Sequence, residues 1–161
     1  QTEDIMGRVG RSMEEKFKTK KQTLHWECVQ KEVLADPNRL EQVLINLIDN
    51  AHKYTPEGGH VLVSWEKEGP EAVLKVKDTG VGIPAEHHSR LFERFYRVDR
   101  SRSRETGGTG LGLSIVKHVV QRHGGELIIE SEIGQGSTFS IHLPKHRVAT
   151  GSALLATDHA P

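Results

Sequence analysis

This 161-residue chain holds one cysteine, and only 5% of its residues are aromatic. A lone Cys28 excludes an internal disulfide and suits a reducing compartment, where its expected role is that of a small core residue. Charge of one sign is also missing. The 22 basic residues are balanced by 22 acidic ones, which argues against binding nucleic acid or a membrane surface by bulk electrostatics. No apolar run approaches the ~20 residues of a membrane span. The opening Gln1-Thr2-Glu3-Asp4 has neither the basic region nor the apolar core of a signal peptide. It also has no initiator methionine, as expected of a fragment of something longer. There are no internal repeats, and the length fits one domain with loose ends.

Glycine, by contrast, is concentrated in Gly107-Gly108-Thr109-Gly110-Leu111-Gly112, where an apolar helical pattern begins at once. Such density costs backbone entropy. It suits backbone N–H groups that approach a phosphate at a helix N-terminus, where unpaired donors and a partial positive charge coincide. A flexible linker is the alternative, but linkers do not usually run straight into an amphipathic helix. Before this stretch, Arg97, Arg100, Arg102 and Arg104 alternate with Ser and Thr without apolar period. That is expected to be a mobile basic loop: a solvated surface, a nucleic-acid arm or a lid over phosphates.

Elsewhere the periodicity is clear. Met6, Val9, Met13 and Phe17 predict an amphipathic helix over 3–20. Glu14-Glu15-Lys16 and Lys18 to Lys21 read as its solvated face and end. Leu24, Trp26 and Cys28 predict a half-buried strand, and Val33-Leu34-Ala35 a second short extended piece. Asp36-Pro37 opens a helix as N-cap and first helical residue, with Leu40, Val43, Leu44, Leu47, Ile48 and Ala51 as its core stripe. Beside that stripe runs a polar one, Asn46, Asn50, Lys53 and the adjacent Tyr54. Asparagine is a mediocre helix former. The two amides could equally cap neighbouring loops or hold a hard cation such as Mg²⁺, which prefers oxygen ligands.

Val61, Val63 and Trp65 alternate with Leu62, Ser64 and Glu66, Glu68-Gly69-Pro70-Glu71 makes a turn, and Ala72 to Lys77 returns as a second strand, which predicts an antiparallel hairpin. On the second, Ala72, Leu74, Val76 and Asp78 share one face, so the strand ends with a carboxylate aimed at the buried side. An isolated buried carboxylate costs several kcal/mol, so Asp78 needs a partner. Gly80 and Gly82 follow in a tight loop, and Pro84 begins a short helix. A late helix buries Leu113, Val116, Val119 and Val120 and stops at Gly124-Gly125. A second hairpin, Leu127 to Glu130 and Ser137 to Leu143, flanks Gly134-Gln135-Gly136. Ala149 to Pro161 is expected to be disordered.

Singly these features are weak, but their order is specific. Asn46-Leu-Ile-Asp-Asn50-Ala-His-Lys53-Tyr54-Thr, Asp78-Thr-Gly80-Val-Gly82-Ile83, Phe92-Glu-Arg-Phe95 and Gly108-Thr-Gly110-Leu-Gly112-Leu closely resemble the N, G1, F and G2 boxes of sensor histidine kinases. The resemblance covers roughly residues 5–144. It implies the ATP-binding fold shared with type II topoisomerases, Hsp90-type chaperones and mismatch-repair ATPases: an α/β two-layer sandwich. A mixed, mostly antiparallel sheet of about five strands would be covered on one face by three main helices, with a mobile ATP lid. Residues 1–145 would be the catalytic and ATP-binding domain, and 146–161 a disordered tail. There is no P-loop.

By the same resemblance, Asp78 would accept a hydrogen bond from the adenine amino group, and Gly80 and Gly82 would let backbone pass close to the purine, with Ile83 beside them. Asn50 would ligate Mg²⁺ with Asn46 near it. Lys53 and Arg97 would act on the phosphates, with Arg102 as a second lid arginine, and Tyr54 would lie against the nucleotide. Gly108, Thr109, Gly110, Leu111 and Gly112 would wrap the triphosphate, while Phe92 and Phe95 would anchor the lid hinge. Asn46 stands where hydrolysing relatives of this fold usually carry a Glu general base. Asn cannot take a proton, so the site should hold Mg-ATP and transfer its γ-phosphoryl group to an external nucleophile.

That nucleophile would be a histidine on a separate dimerisation hairpin, because none of the ten histidines has the acceptor motif. The chain is thus expected to be a monomeric catalytic domain with weak or no autophosphorylation alone. The resemblance further implies a response regulator as partner, and a cytoplasmic place in a membrane-anchored sensor kinase, with no membrane insertion by this chain itself. Alternatives are a slow ATPase of the same fold or a non-catalytic nucleotide-binding module. A nucleic-acid module rests on Arg94 to Arg104 alone.

Overall fold

The computed structural model describes residues 2–29, 33, 35–96 and 112–144. Arg97, Arg102, Gly108, Thr109, Gly110 and Leu111, with the expected lid they belong to, lie outside the described residues, as does the tail 146–161.

Along the chain come α1 (Thr2–Thr19), β1 (Thr23–Cys28), α2 (Pro37–Tyr54), β2 (His60–Glu68), β3 (Glu71–Asp78), α3 (Ala85–His88), α4 (Gly112–Arg122), β4 (Glu126–Glu132) and β5 (Gly136–Pro144). The strands form one sheet in the order β1-β2-β3-β5-β4. Only β1 and β2 run parallel, and the other neighbours are antiparallel. The expected mixed, mostly antiparallel sheet under three main helices is therefore what the chain adopts. No helix among the described residues is long and apolar enough to cross a membrane.

Alternation along the strands decides which face is covered. Val61, Val63 and Trp65 of β2, Leu74 and Val76 of β3, and Phe139, Ile141 and Leu143 of β5 are buried on one face, against the apolar stripes of α1, α2 and α4. Lys75 lies on the other face, paired with Glu66 and Glu68. Val33 and Ala35 lie outside any strand, although both pack against the core. Leu34, the middle of the extended piece expected there, lies outside the described residues. Asp36 caps α2 as expected, Oδ1 accepting from Asn38 and Arg39 N–H.

α2 is packed against both α1 and α4. Lys16 and Lys20 are not the bare solvated end suggested by the run of charges. Lys16 pairs with Asp49 at 3.2 Å, and the Lys20 ammonium donates to the carbonyls of His52 and Lys53. Buried Gln22 adds bonds from Nε2 to the His52 and Thr55 carbonyls. The last carbonyls of α2, which a helix leaves unpaired, are thus held by residues from the α1–β1 connection.

Candidate functional site

Asp78 ends β3 on the covered face of the sheet and is only 4% exposed. Its Oδ1 accepts from the backbone N–H of Gly80 at 2.8 Å and of Ser137 at 3.2 Å. These amides are the partners that its inward direction required. Burial pushes the carboxyl up from the ordinary carboxylate value, outweighing the two amides, which pull it down. Oδ2 has no hydrogen bond among the described residues, yet it is not sealed from solvent. Beside Asp78 opens a cleft of about 490 Å³, lined in part by Lys77, His88, Ser131 and Thr138. Because no residue of the α2 stripe lines it, the cleft covers only the β4–β5 side of the carboxyl.

The loop after Asp78 is bonded almost residue by residue. Thr79 N–H donates to the His60 carbonyl, Val81 N–H to that of Tyr54, and the Val81 carbonyl accepts from Gly134. Ile83 N–H donates to Ser131 Oγ, and its carbonyl meets His88 Nε2 at 2.9 Å. A Cβ on Gly80 would come 2.4 Å from the Tyr54 carbonyl, and one on Gly82, at φ +77°, 2.1 Å from the Glu132 carbonyl. Those contacts are with the protein's own backbone. They require glycine at both positions without any purine.

Asn46 and Asn50 stand half-buried on α2. Neither amide has a hydrogen-bond partner among the described residues, so neither caps a loop there. A Cβ built on Gly112 would lie 3.5 Å from Asn46 Oδ1, which sets this amide at the N-terminal end of α4. The structure therefore brings the α2 stripe, the Asp78 loop and Gly112 together, with the Tyr54–Val81 bond joining the first two. Lys53 is held by Asp49 at 3.1 Å. Burial raises the Asp49 carboxyl, but Lys53 and Lys16 outweigh it and hold it below the usual range.

Of the two aromatics expected as hinge anchors, Phe92 packs edge-on against Phe139 with ring centroids 6.4 Å apart. Phe95 does not dock. It is 65% exposed, with φ +65°, and the Arg94 guanidinium lies 5.8 Å from its ring. Tyr96 instead takes the docked position, bonding His87 Nδ1 through its hydroxyl, with Arg90 stacked over its ring. Sequence reasoning also missed Ser131 and Ser137. Each is a polar residue where the alternation Leu127, Ile129 and Ile141, Phe139 calls for an apolar one, and that break in pattern could have found them.

The chain is thus a two-layer α/β sandwich with a buried aspartate at a strand end and, on α2, two amides without a partner among the described residues. Residues 35–147 match the model of the histidine kinase-, DNA gyrase B- and HSP90-like ATPases, and the chain belongs to that family. It is 49% identical over 111 residues, 69% of its length, to the circadian input-output histidine kinase CikA of Synechococcus elongatus. It spans 15% of that relative's length. The catalytic domain of histidine kinase ThkA superposes with a TM-score of 0.76 at 30% identity, covering 89% of this chain and 91% of that one. ThkA has also been solved with the response regulator protein TrrA. Full-length ShkA in complex with AMPPNP gives 0.77 at 32% identity, covering 89% of this chain and 30% of that one.

Proposed function

We propose that the chain binds Mg-ATP and transfers the γ-phosphoryl group to a histidine of a separate dimerisation hairpin, as the catalytic part of a two-component sensor kinase. The carrying observation is Asp78. One carboxylate oxygen is fixed by two backbone amides and the other is free, so an acceptor of set direction awaits a donor such as the exocyclic amino group of adenine. The AMPPNP complex of ShkA supports the nucleotide.

Ile83 and Tyr54 flank the base, while Asn46, Asn50, Lys53 and Gly112 serve the phosphate side. Arg97, Arg102 and Gly108 to Leu111 would complete the phosphate side from outside the described residues. The unpartnered amide oxygens of Asn50 and Asn46 fit a hard cation, and Mg²⁺ bound there would neutralise phosphate charge. Asn46 has no basic group with which to activate water, so hydrolysis is slow and the nucleotide persists until an imidazole arrives. Transfer then rests on positioning and charge, forming the N–P bond as the bond to ADP breaks. Residues 1–145 act as one monomeric domain of a longer cytoplasmic kinase region, anchored to a membrane elsewhere, and a response regulator takes the phosphoryl group onward. The complex of ThkA with TrrA supports that partner.

Two measurements test this. Calorimetric titration with ATP should show binding that strengthens with Mg²⁺. Incubation with labelled ATP and a hairpin carrying the acceptor histidine should label the hairpin and leave the chain itself unlabelled. Binding without transfer would reduce the protein to a nucleotide-binding module, and rapid steady hydrolysis would make it an ATPase.

A further inference from the structure

The positions of Asp78, Ser137 and Ser131 form one row across three strands. Asp78 of β3 pairs in register with Ser137 of β5, which pairs with Ser131 of β4. All three lie on the covered face, continuing the rows Val76–Phe139–Ile129 and Leu74–Ile141–Leu127. An apolar side chain would be the default at the end of such a row, and two hydroxyls stand there instead.

Ser131 uses its hydroxyl fully. Oγ accepts from Ile83 N–H at 2.8 Å, lies 3.2 Å from the Gly136 carbonyl and 2.7 Å from Ser137 Oγ. With its proton on Gly136 and the Ser137 hydroxyl donating to it, the single proton and both lone pairs are engaged. These contacts close a ring. The chain leaves Asp78, passes Gly80 and Val81, and returns at Ile83 to Ser131. Ser131 meets Ser137, whose backbone amide donates back to Asp78 Oδ1. Other N–H bonds of the loop go to backbone carbonyls or to Asp78 itself, whereas Ile83 N–H is held by a side chain from another strand.

We infer that Ser131 is a positioning residue for base recognition, fixing the 79–83 loop against β4–β5 so that the free oxygen of Asp78 keeps its direction. This rests on the nucleotide reading of Asp78 given above. Ser131 does not touch the base in this scheme. Without its hydroxyl the Ile83 amide is orphaned, the ring opens and the carboxylate loses orientation, so affinity specific to adenine suffers more than affinity for the phosphates.

The test compares the intact chain with Ser131→Ala and Ser131→Thr by calorimetry with ATP and with GTP, alongside melting curves and amide exchange. Ser131→Ala should lose about tenfold in ATP affinity, a net cost typical of one hydrogen bond whose part-buried partner is left unpaired, with little change for GTP. Ile83 N–H exchange should quicken, and Ser131→Thr, which keeps the hydroxyl, should restore both. If Ser131→Ala fails to fold, Ser137→Ala removes one partner of the same hydroxyl and should give a smaller loss of the same kind. An unchanged ratio of ATP to GTP affinity in these variants, with the parent chain binding ATP, would overturn the inference alone. Failure of the parent chain to bind ATP would overturn the nucleotide reading and the inference together.

Discussion

The two sides of the candidate site are built on opposite principles. Around Asp78 nearly every polar group is already bonded to protein: Gly80, Val81, Ile83 and Ser137 each donate within the wall, and Gly82 is pressed against the Glu132 carbonyl. On α2, Asn46 and Asn50 bond nothing among the described residues, and Lys53 is steered by a partly exposed Asp49. A fixed acceptor suits a rigid planar base, since binding then costs little reorganisation. Amides left unbonded there and a salt-bridged lysine suit the triphosphate and cation proposed above.

The largest effect should come from breaking the bonded side. A Cβ on Gly136, at φ +94°, would come 2.0 Å from the Asp78 carbonyl. Gly136→Ala should therefore cost about 3 kcal/mol or more of folding stability in urea titrations. Gly134→Ala has comparable φ but open space, and should cost about 1 kcal/mol. Equal losses would mean that backbone strain, and not the close approach to Asp78, governs this wall.

Next, Asp78→Asn should lower ATP affinity by about 100-fold, roughly 2.8 kcal/mol, through loss of a charge-assisted bond. Its melting temperature should hold or rise. Because the folded carboxyl titrates above its unfolded value of 3.8, its stabilising contribution is full below that pH and is lost as pH rises through the folded value. Wild-type stability should thus gain on the variant on acidification across that window, and parallel stability–pH curves would contradict the buried-charge account.

On the open side, Asn50→Ala should lose about tenfold in affinity for ATP with Mg²⁺ and little without it. The same change should stabilise the fold by about 0.5 kcal/mol, since Ala is the better helix former and no hydrogen bond is lost. A destabilised Asn50→Ala would erase the contrast between the two sides. The smallest effect belongs to Asp49→Asn, at about 0.5 kcal/mol for a partly exposed pair. With its folded carboxyl below 3.8, that contribution is present above the unfolded value and fades as pH falls through the folded one. Stability curves of variant and parent should therefore converge in acid.

Much of the site was legible in the chain. Asp78 stood out because period-two alternation directs it inward, and Asn46 and Asn50 because an amide is a poor choice beside an apolar helical stripe. The glycines announced close approach, but no local pattern names the neighbour, and for Gly80 and Gly82 it is the protein's own backbone. Lys20 read as part of a solvated end and Gln22 carried no signal, and their role at the end of α2 depends on carbonyls some 30 residues away. Phe95 is chemically indistinguishable from Phe92, yet among the described residues Phe92 packs on an aromatic partner and Phe95 does not.

What the sequence determined by itself is what near neighbours decide: helical and strand period, the Asp36 cap, the two hairpins and the face on which each side chain falls. Tertiary structure alone decided that β5 sits between β3 and β4 and that β1 joins β2 in parallel. Strand order follows from which apolar faces and edges remain to be covered once local elements exist, a choice made across long stretches of chain. That choice sets the Ser137 amide against a carboxylate 59 residues earlier, and so turns an inward-pointing aspartate into an oriented acceptor.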